Sequence, residues 1–234
     1  MKADVILWDY DGTLVNSVPK NIDITKQILS IVAPHLTGEN LPGCLKSEAA
    51  YHEVNHNSKN WQDLYKNYYG LNDGEITKAG KLWAAYQLKN NTPVSLFPGI
   101  EDLINELSWL PHGICSQNSA DNIRNVLEDN KMNEHFKAVI GYNDVANDAQ
   151  KPLPESGIKC LANIFGETKD KLILYIGDHE GDVRFARNLA SKLCKSNKVI
   201  SLAATYSGAT PDSWFYKPDF TLSTPVDLLK IVEH

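Results

Sequence analysis

Aspartate residues follow apolar runs at several points of this sequence, beginning with Asp9 and Asp11. Residues two apart on an extended chain point to the same side, with Cα atoms about 6.5 Å apart. The two carboxylates can therefore reach one small volume, where they repel each other unless a cation or a proton lies between them. A later apolar run is followed by Asp178 and, four residues on, by Asp182. The sequence thus predicts a site where several acids converge.

The ligand atoms that these acids offer are all oxygen. The carboxylates of Asp9, Asp11 and Asp178 form such a set, which suits a hard cation. We expect Mg²⁺, which retains bound water and is held by few carboxylates. Asp182 is expected to hold a further ligand or a metal-bound water.

Two more polar groups follow apolar runs and could bind phosphate. Ser116 and Gln117 come directly after one run, and Lys151 comes ten residues after another. A carboxylate can attack phosphorus and form an acyl phosphate, and Ser116 and Lys151 would then offer a hydroxyl donor and a positive charge to the phosphoryl oxygens. Each residue alone is as readily a helix cap, a turn residue or a solvated charge. Their order at four successive strand ends is what indicates a site.

The elements that must position these residues alternate along the chain. Apolar runs predict strands at 5–8, 112–115, 138–140, 172–176 and 199–202. Helical spacing predicts helices at 100–110, 120–130, 155–165 and 181–193. This alternation predicts an α/β fold with a doubly wound, mostly parallel sheet covered on both faces. Ligands of such sheets bind at the carboxyl ends of the strands.

Residues 17–92 show no strand pattern. Apolar residues recur there at helical intervals in three stripes, so we expect an all-helical insert within the α/β unit. The aromatic residues expected in its core are Trp61, Tyr65, Tyr68, Trp83 and Tyr86. The polar or aromatic candidates for contacting a substrate are Lys20, Tyr51, His52, His56 and Lys59.

Composition excludes several classes of partner. The chain has 234 residues, with 23 Lys plus Arg against 29 Asp plus Glu and a net charge of −6. The basic residues are dispersed, which argues against nucleic acid, and no apolar run approaches the ~18 residues that span a membrane. The four cysteines form no CxxC pair, and the N-terminus is unlike a signal peptide. We therefore expect a cytoplasmic protein that binds neither nucleic acid nor membrane.

Taken together, the motifs resemble those of the haloacid dehalogenase-like (HAD) superfamily. Residues 9–14 resemble its first motif, DxDGT(L/V), and Ser116 resembles the second. Residues 151–155 resemble the third motif, and residues 177–182 resemble the fourth, GDxxxD. The pattern is most similar to the phosphoglycolate phosphatase-like branch. The resemblance implies a Rossmann-like core at 1–16 and 93–234, with a helical cap domain of the first type at 17–92 that closes over the leaving group.

The resemblance also implies roles for the acids. Asp9 would attack a small phosphate monoester and carry the aspartyl-phosphate, while Asp11 would protonate the leaving alcohol and then activate water. Mg²⁺ would be held by the Asp9 carboxylate, the main-chain carbonyl of Asp11 and Asp178, with Asp182 in support. The enzyme would thus be a Mg²⁺-dependent phosphatase of a small phosphorylated metabolite, as a monomer or homodimer.

Phosphate binding would fall to Ser116, Gln117 and Lys151, with Lys151 also neutralising the phosphoaspartate. Three positions depart from the family pattern. Asn16 replaces a frequent Asp after the first motif, Gln117 replaces a frequent Asn, and His179 replaces a small residue in the fourth motif. For His179 we expect a structural hydrogen bond, with a role in the pH response of the site as the alternative.

Several alternatives differ in chemistry. A dehalogenase or a phosphonate-cleaving relative would lack Asp11, so both are disfavoured. A sugar phosphomutase, similar to β-phosphoglucomutase, shares all four motifs and stays open. A signalling receiver places its phosphoacceptor at a later strand, and an inactive binding relative would have no need of all the motif residues.

Overall fold

The structure is a computed structural model that describes residues 1–58 and 60–233. The chain divides into two compact units, which are described separately. The first comprises Met1–Asn16 with Ser95–His234, and the second comprises Ser17–Val94. The interpretation of the second unit as a cap domain stays a prediction.

The first unit is built on a parallel sheet. Its strands are Val5–Trp8 (β1), His112–Cys115 (β4), Phe136–Ile140 (β5), Leu172–Gly177 (β6), Lys198–Ala204 (β7) and Phe220–Leu222 (β8). They form a six-stranded sheet in the order β5-β4-β1-β6-β7-β8, and every hydrogen-bonded pair is parallel. A separate antiparallel pair joins Val15–Asn16 (β2) to Ser95–Leu96 (β3). The prediction of a doubly wound, mostly parallel sheet is confirmed.

Strand β1 illustrates why the central strands of this sheet are continuous apolar runs in the sequence. Val5, Ile6, Leu7 and Trp8 are fully buried, because a parallel sheet with helices on both faces shields every residue of its central strands. The chain extends the sheet first on one side of β1, through β4 and β5, and then on the other, through β6, β7 and β8. This reversal makes the carboxyl end of β1 a topological switch point, where open α/β sheets bind ligands.

The helices of the first unit follow the strands. They are Ile100–Glu106 (α5), Ala120–Asp129 (α6), Glu155–Phe165 (α7) and Glu180–Lys192 (α8). Cys160 and Leu161 of α7 and Phe185 and Leu189 of α8 share a buried cluster with Val5 and other residues of the sheet. Helices α7 and α8 therefore cover one face of the sheet.

Two predictions for this unit need correction. The helix expected over 100–110 ends at Glu106, and residues 107–110 form turns that begin at the C-cap residue Leu107. Pro111, which has no N–H, cannot continue the helix beyond them. Strand β8 was missed because it has three residues, two of them exposed, and so carries little hydrophobic pattern.

The second unit has no strand among its described residues, as expected. Its helices are Val18–Val32 (α1), Glu48–Asn57 (α2), Trp61–Asp63 (α3) and Asp73–Lys89 (α4), with a π-turn at Leu64–Tyr68. Helix α4 begins with a capping box, in which Asn72 and Glu75 exchange side chain to backbone hydrogen bonds. Helix α2 was not predicted, because its alternating polar residues leave a weak apolar stripe.

The aromatic core of the second unit was predicted only in part. Tyr65 is buried, but Trp61 and Tyr68 are 46% and 38% exposed. The π-turn explains the error at Tyr68, because it adds a residue to one turn and rotates the following side chains. Tyr69 consequently takes the inward position, with its ring centroid 5.0 Å from that of Tyr65. Trp83 and Tyr86 pack against this core, as expected.

All four cysteines are free thiols. None of the helices in the described part of the chain is both long and apolar enough to cross a membrane.

Candidate active site

Three adjacent strands deliver polar residues to the same edge of the sheet. Asp9 follows β1, Ser116 follows β4 and Asp178 follows β6, and β1 lies between the other two strands. Because the strands are parallel, their carboxyl ends meet. The side chains of Asp9, Ser116 and Asp178 are all buried there.

Lys151 connects two of the predicted acids. Its Nζ donates to Asp9 Oδ1 at 2.6 Å and lies 2.6 Å from Asp182 Oδ1. It also donates to the main-chain carbonyl of Cys115, the last residue of β4, at 3.2 Å. The side chains of Lys151, Asp9 and Asp182 are 7%, 11% and 7% exposed. The end of β1, the last residue of β4 and the first turn of α8 thus meet at one buried ammonium group.

Aromatic rings surround the same ammonium group. Lys151 Nζ lies 5.3 Å from the ring centroid of Tyr175 and 5.5 Å from that of Phe185. Both distances are within the range of cation–π attraction. The Tyr175 hydroxyl also shares its hydrogen between Asp182 Oδ1, at 3.1 Å, and the Cys115 carbonyl oxygen, at 3.3 Å. Tyr175 therefore contacts the same partners that hold Lys151.

The start of α8 fixes Asp182 from its other side. Asp182 Oδ2 accepts a hydrogen bond from the His179 main-chain N–H at 3.0 Å, which closes a capping box. His179 Nδ1 in turn accepts from the Gly181 N–H at 3.0 Å. The expected structural hydrogen bond of His179 is present. Gly177 permits the close approach, since a Cβ atom there would lie 2.5 Å from Asp182 Oδ2.

The electrostatics of the cluster reflect an excess of acid. Burial raises the pKa of Asp9 well above its usual value, and although Lys151 opposes this, the nearby Asp182 and Asp178 add to the rise. Burial alone would lower the pKa of Lys151, but Asp182 and Asp9 outweigh it and raise that pKa. Lys151 therefore stays protonated, while a fully ionised Asp9 needs further positive charge nearby.

The residues present fit a divalent cation. Asp9, Asp178 and Asp182 are all buried, and each offers a carboxylate oxygen within 4.8 Å of the others. Gly12 has a φ of +75°, and a Cβ atom there would lie 2.1 Å from Asp178 Oδ2, so only glycine allows Asp178 this close to the chain of the first motif. An all-oxygen set with an excess of negative charge suits Mg²⁺.

Asp11 is held by a residue to which the sequence assigned no role. Asn118 Nδ2 donates to Asp11 Oδ2 at 2.8 Å. The Asn118 Oδ1 atom accepts from the Ser119 N–H at 2.8 Å and from Asn122 Nδ2 at 3.1 Å, which fixes the orientation of the amide. Ser116 is linked to this group, because its Oγ accepts from the Asn118 N–H at 3.1 Å.

Gln117 faces away from this hydrogen-bonded group. Its side chain is exposed, and Nε2 donates to the main-chain carbonyl of Lys151 at 2.8 Å. The amide therefore ties the end of β4 to the Lys151 loop. A contribution of Gln117 to phosphate binding stays a prediction.

Sequence reasoning placed Asn118 in the polar run after β4 without assigning it a role, and it missed Tyr175 and Tyr206 at this end of the sheet. Tyr206 donates its hydroxyl hydrogen to the Thr13 carbonyl at 2.7 Å, and its pKa is raised by burial and then by Asp178. The polar run after β4 was a signal for Asn118. Tyr175 and Tyr206 carried none, because a tyrosine in or after an apolar strand is indistinguishable from a core residue.

The substrate-contacting candidates of the second unit have different environments. Lys20 and Tyr51 are buried, whereas His52 and His56 are half-buried with ring centroids 5.8 Å apart. Lys59 lies outside the described residues. The role of all five in substrate choice stays a prediction.

The chain is similar to known proteins in both sequence and fold. The family model of haloacid dehalogenase-like hydrolases matches residues 6–195. A protein named pyrophosphatase PpaX from Listeria monocytogenes serotype 4a is 25% identical over 238 residues, covering 99% of this chain and 97% of the relative. A structure described as a predicted phosphoglycolate phosphatase from Haemophilus somnus has a TM-score of 0.72 at 21% identity, over 99% and 98% of the two chains. A haloacid dehalogenase-like hydrolase from Streptococcus pneumoniae has a TM-score of 0.72 at 19% identity, over 98% of both chains.

Proposed function

Since the chain belongs to the haloacid dehalogenase-like hydrolase family, we propose that it is a Mg²⁺-dependent phosphatase acting on a small phosphate monoester through an aspartyl-phosphate on Asp9. The prediction of an enzyme of this family is confirmed by the family match. The observation that carries the proposal is the buried bridge of Lys151 between Asp9 and Asp182, at the carboxyl end of β1.

In the proposed reaction, Asp9 attacks phosphorus and displaces the alcohol. Lys151 contacts Asp9 Oδ1, so it orients the nucleophilic carboxylate and offers positive charge to the phosphoryl oxygens. Asp11 gives a proton to the departing alkoxide and later takes one from the water that hydrolyses the acyl phosphate. Asn118 holds Asp11 by one oxygen, which is the kind of positioning that general acid–base catalysis requires.

Asp9, Asp178 and the main-chain carbonyl of Asp11 are the proposed ligands of Mg²⁺, with Asp182 in support. The bound cation would neutralise charge on the phosphoryl group and on the acids. Within the chain itself, Asp9, Asp178 and Asp182 are buried, which strengthens the electrostatic interactions between them and a bound group.

Two substrate classes are proposed. A small phosphate monoester, such as phosphoglycolate or a sugar phosphate, is the first. Pyrophosphate is the second, because relatives that match the chain over nearly its full length are named pyrophosphatases. The same Asp9 chemistry serves both, since in each case the oxygen of an ester or anhydride leaves phosphorus. A panel of phosphorylated metabolites and pyrophosphate, scored by phosphate release, separates them.

The test of the proposal is Asp9→Asn, assayed with an aryl phosphate in Mg²⁺. We expect activity to fall by at least about 10⁴-fold, as for the loss of a catalytic nucleophile. Asp4→Asn is the matched control, because Asp4 lies at the opposite end of β1 and pairs with Lys171. Full activity of Asp9→Asn would show that Asp9 is not the nucleophile. Undiminished activity of the wild type in the presence of a chelator would show that the reaction does not need Mg²⁺.

The mutase alternative predicts a different product. A phosphomutase needs a bisphosphorylated activator and conserves organic phosphate, whereas a phosphatase releases inorganic phosphate. Stoichiometric release from a sugar phosphate therefore supports hydrolysis. The cytoplasmic location and the monomeric or homodimeric state stay predictions.

A further inference from the structure

Helix α2 carries two histidines, His52 and His56, that the proposed reaction does not use. They are four residues apart, so they lie on one face of the helix, one turn from each other. Their imidazole rings are half-buried, with centroids 5.8 Å apart and planes inclined by 34°. The pair therefore already brings two imidazole groups close to each other.

This separation is near that of two imidazoles bound to one ion. Ring nitrogens bind Zn²⁺ at about 2.0–2.1 Å, which in tetrahedral geometry places the two ring centroids about 5 Å apart. Small rotations about the side-chain bonds of His52 and His56 would close the remaining distance. The helix thus supplies the spacing without any change of its backbone.

The charge of α2 also favours a cation. Its sequence, EAAYHEVNHN, contains Glu48 and Glu53 but no Lys or Arg. Glu48 lies one turn before His52, on the same face of the helix. A divalent ion at the histidine pair would therefore lie on a helix whose own carboxylates are Glu48 and Glu53.

We propose that His52 and His56 form a binding site for a divalent transition-metal ion such as Zn²⁺. Imidazole is a ligand for Zn²⁺, Ni²⁺ and Cu²⁺, whereas Mg²⁺ prefers oxygen. The site therefore differs in ligand chemistry from the acidic cluster of Asp9, Asp178 and Asp182. It also stands independently of the phosphatase reaction.

In the experiment, metal is first removed from the full-length protein, and excess Mg²⁺ is added to occupy the acidic cluster. Zn²⁺ is then titrated into this sample. The control exchanges two neighbouring residues, His56→Asn with Asn57→His, so that composition is unchanged. In this variant the second imidazole lies five residues from His52 and is rotated by about 140° around the helix, away from it. His35→Gln, which alters an exposed histidine elsewhere in the same unit, is a second control.

We expect one Zn²⁺ per chain in the wild type and in His35→Gln. The exchanged variant should bind about a hundredfold more weakly, because two linked ligands gain about that factor or more over one. Nuclear magnetic resonance of the wild type should show Zn²⁺-dependent shifts of the His52 and His56 imidazoles, a readout that needs no variant to fold. Equal affinity in the exchanged variant, or shifts confined to other histidines, would overturn the proposal.

Discussion

The two ends of strand β1 carry the same pair of residue types in different surroundings. At the amino end, Asp4 Oδ1 lies 3.1 Å from Lys171 Nζ, and the two side chains are 33% and 30% exposed. Asp4 Oδ2 also accepts from the Leu172 N–H at 2.8 Å, which joins β1 to β6. At the carboxyl end, Asp9 pairs with Lys151 in a buried site. Four residues of apolar strand separate the two pairs.

The difference between the pairs lies in burial and in the balance of charge. The Asp4–Lys171 pair is balanced and partly solvated, as expected of a pair that only joins strands. The Lys151 ammonium group faces two carboxylates, and Asp178 adds a third nearby. Burying unbalanced charge costs free energy, and proteins accept that cost chiefly at functional sites. Burial and an excess of carboxylates therefore distinguish the ion pair at the candidate active site from the pair that only joins strands.

Replacement of the two lysines should give the largest contrast. In Lys151→Met, the Asp9 and Asp182 carboxylates lose their buried partner, so we expect the free energy of unfolding to fall by about 3–5 kcal/mol at neutral pH without metal. Catalytic activity should fall by about 10²–10³-fold, as when a charge stabiliser of the transition state is lost. Denaturant unfolding and phosphate release measure the two effects.

The matched variant, Lys171→Met, should lower the free energy of unfolding by at most about 1 kcal/mol and leave activity unchanged. Equal losses of stability in the two variants would remove the distinction between the two ends of the strand.

A neutral buried pair that joins β1 to β4 predicts the next largest effect. Trp8 donates its indole N–H to His112 Nδ1 at 3.0 Å, and His112 Nε2 donates to the Leu107 carbonyl at 3.1 Å. Burial lowers the pKa of His112 to about 4. In the unfolded chain the pKa is about 6.5, so the stability gained by keeping His112 neutral is complete above that pH and is lost as pH falls toward 4. The loss should be on the order of 3 kcal/mol.

His112→Gln isolates this contribution, because a glutamine amide can accept from Trp8 and donate to Leu107 but does not titrate. Stability measured between pH 4 and 7 should therefore fall less steeply in the variant than in the wild type. Identical slopes would mean that His112 is protonated equally in the folded and unfolded states.

Tyr175→Phe should have a smaller effect, limited to catalysis at the carboxyl end of β1. The change removes the hydroxyl that contacts Asp182 and the Cys115 carbonyl but keeps the ring beside Lys151. Because Asp182 is one of the two carboxylates that hold the Lys151 ammonium group, we expect kcat to fall about tenfold with little change in KM. Steady-state kinetics measure both constants, and an unchanged kcat would assign the hydroxyl to stability alone.

Much of this site was predictable because its motifs are local. Asp9, Asp11, Asp178 and Asp182 occur in short segments whose positions after apolar strands are visible in the sequence. The fold class was predictable for the same reason, since buried parallel strands are continuous apolar runs. The pairing of Lys151 with both Asp9 and Asp182 was not, because it depends on how three segments far apart in sequence meet in space.

The residues that were missed share a physical cause. Tyr175 and Asn118 contact Cys115 and Asp11, which lie 60 and 107 residues away in the sequence. Tyr68 was placed in the core by a regular helical period, which the π-turn interrupts. A period or a motif predicts which residues share a face, but not an irregularity or the choice of a partner.

The central claim is that Asp9 carries the phosphoryl group, and trapping of the intermediate tests it most directly. The enzyme would be quenched during turnover of an aryl phosphate in Mg²⁺ and treated with borohydride, which reduces an acyl phosphate to the alcohol. Peptide mass spectrometry then locates the altered residue. The account predicts homoserine at position 9, and none in Asp9→Asn. An unmodified Asp9 beside a modified Asp11 or Asp178 would contradict it.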